Sequence, residues 1–120
     1  MANDRIQVQN LNDTARTMDW TLTVQTPSTS QKVYFCGKAA FAFSILGVYL
    51  RAESGTGTVT VKKNGTGQTG LSNLSISSGT GETTLGSPIS VAVGDEVSFS
   101  FATVSSLTNA CVELKVRRTS

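Results

Sequence analysis

The sequence predicts an all-β protein, a β-sandwich or jelly roll with an extended N-terminal arm, on three observations. Apolar and polar residues alternate over many short runs. Turns rich in Gly, Ser, Thr and Asn separate those runs, and little of the chain carries a convincing helical period. Eight or nine strands of this kind each have one face to bury. Two facing sheets bury them all, whereas an open single sheet leaves an apolar row wet. The 120 residues make one domain. Residues 1–30 are read as an N-terminal arm with the first strands, and residues 31–120 as the β-sandwich domain.

From the N-terminus, Ile6 and Val8 alternate with Arg5, Gln7 and Gln9 in a short strand pattern, and residues 10–17 then lose any pattern. Trp20, Leu22 and Val24 alternate with Thr21, Thr23 and Gln25 until Pro27 in a Ser/Thr cluster breaks the run. Residues 33–51 are the most apolar region. Phe41, Phe43 and Ile45 fall in one register and Val48 and Leu50 in the other, with the change near Leu46-Gly47. A helix from residue 39 to 50 is the competing reading. Three aromatics, β-branched Ile45 and Val48, and Gly47 favour a bulged strand buried on much of both faces.

Residues 53–57, ESGTG, read as a turn. The run from Thr58 alternates up to Asn64-Gly65, the dipeptide that most readily adopts the positive φ angles of a tight hairpin, so the next strand should return antiparallel. That strand is placed at residues 71–77, followed by a loop at 78–81. In residues 87–101, SPISVAVGDEVSFSF, the rows Ile89, Val91, Val93 and Val97, Phe99, Phe101 flank Gly94-Asp95 and read as a β-hairpin with one buried face. After residues 105–109, Ala110, Val112, Leu114 and Val116 share one face of a half-buried final strand. Cys111, Glu113, Lys115 and Arg117 share the other.

Composition narrows the function. The charged fraction of 15% lies below the roughly 25% usual for globular chains, and Ser and Thr carry the polarity instead. A hydroxyl-rich surface of low charge is common in extracellular and virion β-proteins, and a β-rich chain has part of this bias in any case because Thr favours strands. The net charge is +2 with Lys and Arg scattered, so no basic stripe tracks a phosphate backbone and nucleic acid is not an expected partner. There is no apolar run of about 18 residues, and the start MANDR lacks the layout of a signal peptide, so neither a membrane nor general secretory export is expected.

Histidine is absent, which removes the usual general base near neutral pH and the Ser-His-Asp type of triad. Cys36 and Cys111 have no metal-ligand spacing, and two reduced thiols are favoured over a disulfide because no export signal is present. Asp95-Glu96 offers hard oxygen ligands to a cation, against the reading that Asp after Gly serves the turn itself. The spacing GTGQTG at Gly65, Gly67 and Gly70 matches a dinucleotide fingerprint but precedes a strand and not a helix, so it carries no such function. Tyr34, Tyr49 and Trp20 are read as packing residues in preference to a sugar-stacking row. No catalytic, cofactor-binding or metal residue is assigned. The interface residues expected are Ile6, Val8 and Leu11, too few to form a core and enough for an edge strand to add to a partner sheet.

The features FAFSILGVYL, the Ser-Gly-Thr-Gly turn, TVTVKKNGT, LSNLSIS, SPISVAVGDEVSFSF and ACVELKV follow one another from Phe41 to Val116, about two thirds of the chain. This run resembles a β-sandwich module of tailed-bacteriophage virion structural proteins. The resemblance implies a non-enzymatic capsid decoration (cement) protein that clamps neighbouring subunits, without cofactors. It further implies a homotrimer, with the major capsid protein or other virion proteins as partners, located in the virion and assembled in the host cytoplasm. The alternative it leaves open is a fibre or tail module that binds a glycan or receptor.

Overall fold

The computed structural model describes residues 17–79 and 81–119. Nine strands follow in order: β1 (Thr17–Val24), β2 (Lys32–Cys36), β3 (Phe43–Arg51), β4 (Ser54–Lys63), β5 (Thr66–Gly67), β6 (Leu74–Ile76), β7 (Gly81–Val91), β8 (Val97–Thr108) and β9 (Ala110–Arg118). One sheet has the order β1-β9-β3-β7. The other has β2-β8-β4-β5, with β6 also paired to β4. All pairs are antiparallel. Outside the run from β4 to β6, each strand lies in the sheet opposite its predecessor. The all-β sandwich expected from the alternation is the observed fold.

Side chains alternate across each strand, so one face of each sheet turns inward. From the first sheet come Phe43, Ile45, Val48 and Leu50 of β3 and Val112, Leu114 and Val116 of β9. Val59, Val61, Phe99 and Phe101 meet them from the second, and all of these are buried. Burying each such side chain contributes about 1.5–3 kcal/mol against leaving it in water. Trp20 packs edge-on to Phe43 with ring centroids 4.8 Å apart, and Phe35 and Phe101 flank Phe99 at 4.9 and 5.5 Å.

The register change near Leu46-Gly47 is a bulge. β3 pairs Ile45 with Val116 and Gly47 with Lys115 of β9, so Leu46 is the extra residue. The bulge puts Phe43 and Ile45 on the same inward face as Val48 and Leu50, despite their opposite parity. Asn64 (φ 52°) and Gly65 (φ 83°) form the expected turn with positive φ at both centres, and the chain returns antiparallel as β5 and then β6.

Several expectations need correction. Residues 87–101 are not a hairpin: β7 pairs with β3 and β8 with β2 and β4, so residues 92–96 carry the chain across the sandwich. Alternation fixes which face a residue takes but is indifferent to which strand it pairs with. Val93, placed in the buried row by that reading, stands 63% exposed at the corner. Residues 33–51 hold two strands in opposite sheets, and Phe41 lies in the link between them. Residues 54–57 belong to β4, whose register shifts twice there. Gly55 has φ +85° against β8, and a Cβ would strike the Ser106 carbonyl. Only residues 74–76 of the expected strand at 71–77 are extended, although Leu71 still reaches the core.

Candidate functional site

Among the described residues, no group of three or more His, Cys, Asp or Glu side chains comes together. Cys36 and Cys111 are unpaired, on β2 and β9 in opposite sheets. Partial burial pushes the Cys36 thiol above its ordinary pKa, with a lesser opposing effect from the Val97 backbone.

The Asp95-Glu96 pair does not converge on a cation. Asp95 Oδ2 accepts the Ala92 N–H at 2.9 Å and Oδ1 accepts the Asn64 side-chain amide at 3.1 Å. The Ala92 bond first, and the Asn64 bond second, hold the carboxyl below its ordinary range. Glu96 turns to Lys32 at 3.5 Å, an exposed pair of small energetic weight. Asp95 therefore acts as a latch on the corner between β7 and β8. The glycine series follows suit: Gly65 sits in the hairpin turn, Gly67 in β5, and Gly70 (φ +86°) beneath Leu85.

The aromatic side chains named by the sequence lie on separate surfaces. Trp20 lies half-buried against the core on β1. Tyr34 is 48% exposed on β2, with the Lys32 ammonium 4.9 Å from its ring centre. Tyr49 lies on the outer face of β3 beside Arg51, Glu53, Asn109 and Cys111, around an open depression of ≈ 510 Å³.

A different surface is apolar. β1 ends the first sheet and pairs with β9 over eight residues without a break, Thr17 opposite Arg117 and Val24 opposite Ala110. Met18, Trp20, Leu22 and Val24 reach the core but are only partly covered. Their partners on β9, Val116, Leu114, Val112 and Ala110, are each 0% exposed. Near the Thr17 end lies a cleft of ≈ 240 Å³ walled by Trp20, Phe35, Ala39, Phe41 and Phe43. Phe41 is held there by Arg118, whose guanidinium lies 4.5 Å from the ring centre. Ile6, Val8 and Leu11, the interface residues expected from the sequence, lie outside the described residues. The row on β1 was missed as a surface because its alternation reads as ordinary core, and only its edge position leaves it uncovered.

No protein-family model matches the chain, and no curated protein matches it. Among solved structures, the chain is similar to one in a structure titled "Cyanophage Pam1 capsid asymmetric unit", with a TM-score of 0.55 and 17% sequence identity. The match covers 87% of this chain and 84% of the other. At that identity the likeness is one of fold.

Proposed function

We propose that the protein is a non-enzymatic virion structural protein of a tailed bacteriophage, and within that class a capsid decoration protein that clamps neighbouring subunits. The observation that carries this reading is the fold likeness to a chain of a phage capsid asymmetric unit, which extends over most of both chains. The strand order supports it, since 1-9-3-7 facing 2-8-4-5/6 with alternating sheets fits a jelly-roll reading of the sandwich, an architecture used in viral capsids. The hydroxyl-rich surface and net charge of +2 set little like-charge repulsion against packing beside other subunits. The runner-up, a glycan-binding fibre or tail module, wants its aromatic rings on one face, and Trp20, Tyr34 and Tyr49 sit on three strands and separate surfaces.

In this reading the partners are further copies of the chain, as a trimer, and the major capsid protein, with assembly in the host cytoplasm. An N-terminal arm carrying Ile6, Val8 and Leu11 makes the attachment. Purified protein mixed with capsid shells that lack it should co-sediment with them and saturate at a fixed ratio to the capsid subunit. Shells that bind none of it, with capsid subunits otherwise intact, would refute the decoration role.

A further inference from the structure

An unpaired strand edge invites another strand, and soluble proteins blunt their edges with bulges, prolines, lysines or brevity. Three of the four edges here are blunted. β7 leaves residues 85–88 out of its ladder, Pro88 among them, and the Ser90 carbonyl accepts Lys63 Nζ at 3.0 Å. β2 has five residues, begins at Lys32 and shifts register after Tyr34. β5 and β6 have two and three residues. β1 has eight, TMDWTLTV, in unbroken register with β9, with no proline, glycine, lysine or bulge. Among the described residues nothing pairs with its outer side.

Its inward face is unfinished in the same place. Met18, Trp20, Leu22 and Val24 pack on the core yet keep part of their surface uncovered, and the cleft beside Trp20 and Phe41 opens near the end where the chain enters β1. One further strand with apolar residues on its inward face would cover this row at a cross-strand spacing of about 5 Å.

We propose that the outer edge of β1 is a strand-addition site whose occupant is residues 5–9, RIQVQ, of a second copy of the chain. In that segment Ile6 and Val8 share one face, and Arg5, Gln7 and Gln9 share the other. Added to β1, the first pair lies over Trp20 and its neighbours, and the polar set continues the outer face of Asp19, Thr21 and Thr23. Residues 10–16 link the segment to Thr17 and, extended, span at most about 25 Å, enough to pass between adjacent copies. Each copy then gives an arm and receives one, a head-to-tail contact that closes into a ring when the rotation between copies allows. The identity of the donor rests on the clamp reading of the arm, whereas the receptiveness of the edge rests on β1 alone.

The test uses full-length protein without any virion, so its failure leaves the capsid reading standing. The chain has a single tryptophan, Trp20, at the proposed site. Wild type is compared with the Ile6→Asp/Val8→Asp double variant by sedimentation equilibrium, Trp20 emission and amide exchange across micromolar concentrations. For wild type we expect an oligomer, with the emission shifting to the blue and the β1 amides gaining protection as it forms. The double variant should stay monomeric, lose both concentration-dependent changes and keep wild-type protection in β9. A monomeric wild type, β1 protection independent of concentration, or an oligomer that survives in the double variant would overturn the proposal.

Discussion

The side-chain amide of Asn64 donates to the Asp95 carboxylate at 3.1 Å and so joins the hairpin turn after β4 to the corner between β7 and β8. The contact is reinforced on both sides. Asn64 Oδ1 accepts the Glu96 N–H at 2.9 Å, and the Asn64 N–H donates to the Glu96 carbonyl at 2.8 Å. The Ala39 N–H donates to the Asp95 carbonyl and the Gly94 N–H to that of Ala39, both at 2.8 Å, which fastens the link between β2 and β3 to the same corner. Three connections at one end of the sandwich thus share one polar knot.

This knot predicts a pH dependence. Asp95 has its folded pKa lowered from 3.8, first by the Ala92 N–H and then by the Asn64 amide. A lowered folded pKa gives stabilisation that is complete above the ordinary carboxylate range and is lost as pH falls through the folded value. Asp95→Ala should therefore lower Tm at pH 7, and the gap to wild type should narrow in melts at about pH 3. A gap that stays constant between those conditions would show that the charge contributes nothing.

The core predicts a sharp contrast between positions. Phe99 is 0% exposed and touches Phe35 and Phe101. Phe99→Ala should cost about 3–5 kcal/mol in denaturant unfolding, the usual range for emptying such a site. Thr84→Ala, at an exposed side chain of β7, should stay within about 0.5 kcal/mol. Similar losses at both positions would contradict the inward placement of Phe99.

How far the fold was legible follows from what alternation encodes. The faces of β9, the bulge at Leu46 and the Asn64-Gly65 turn could be read because each depends on a few neighbouring residues. The partner of each strand could not. Residues 89–101 show the same pattern whether they form a hairpin or cross between sheets, and the knot around Asp95 that decides it is assembled from Ala39 and Asn64, distant in sequence. The strand at Glu82, Thr83 and Thr84 was hidden for another reason, since an edge strand with so many exposed residues carries little apolar signal. Thr103 and Ser106, both at positive φ within β8, were likewise invisible, because neither residue type favours that conformation. For the candidate surface, the apolar side chains of β1 were evident from the sequence and their edge position was not.

The bulge in β3 depends on a residue without a side chain. At Gly47 a Cβ would meet the Thr83 carbonyl of β7. Gly47→Ala should force β3 and β7 apart and cost roughly 1–3 kcal/mol, the usual price of overpacking. Amide exchange in that variant should rise first along β7. A variant as stable as wild type would mean that the two strands do not approach as described.

The cysteines predict a redox state. Cys36 and Cys111 stand unpaired on opposite sheets, and burial holds the Cys36 thiol above its ordinary pKa. Denatured, unreduced protein treated with an alkylating agent should gain two adducts in intact mass, one for each thiol. In the native protein, modification of Cys36 should be slow at neutral pH and accelerate as the pH rises past the ordinary thiol range. An unalkylated mass two hydrogens lighter would establish a disulfide instead.

The proposal that the protein is a capsid decoration component meets its most direct test in purified particles of a phage whose genome carries its gene, where the copy number of the chain is counted by quantitative mass spectrometry against the major capsid protein. The account predicts a fixed ratio on the scale of the capsid lattice, many copies in every particle. Particles without the chain would contradict a virion role, and a few copies in each would contradict capsid decoration in favour of the tail.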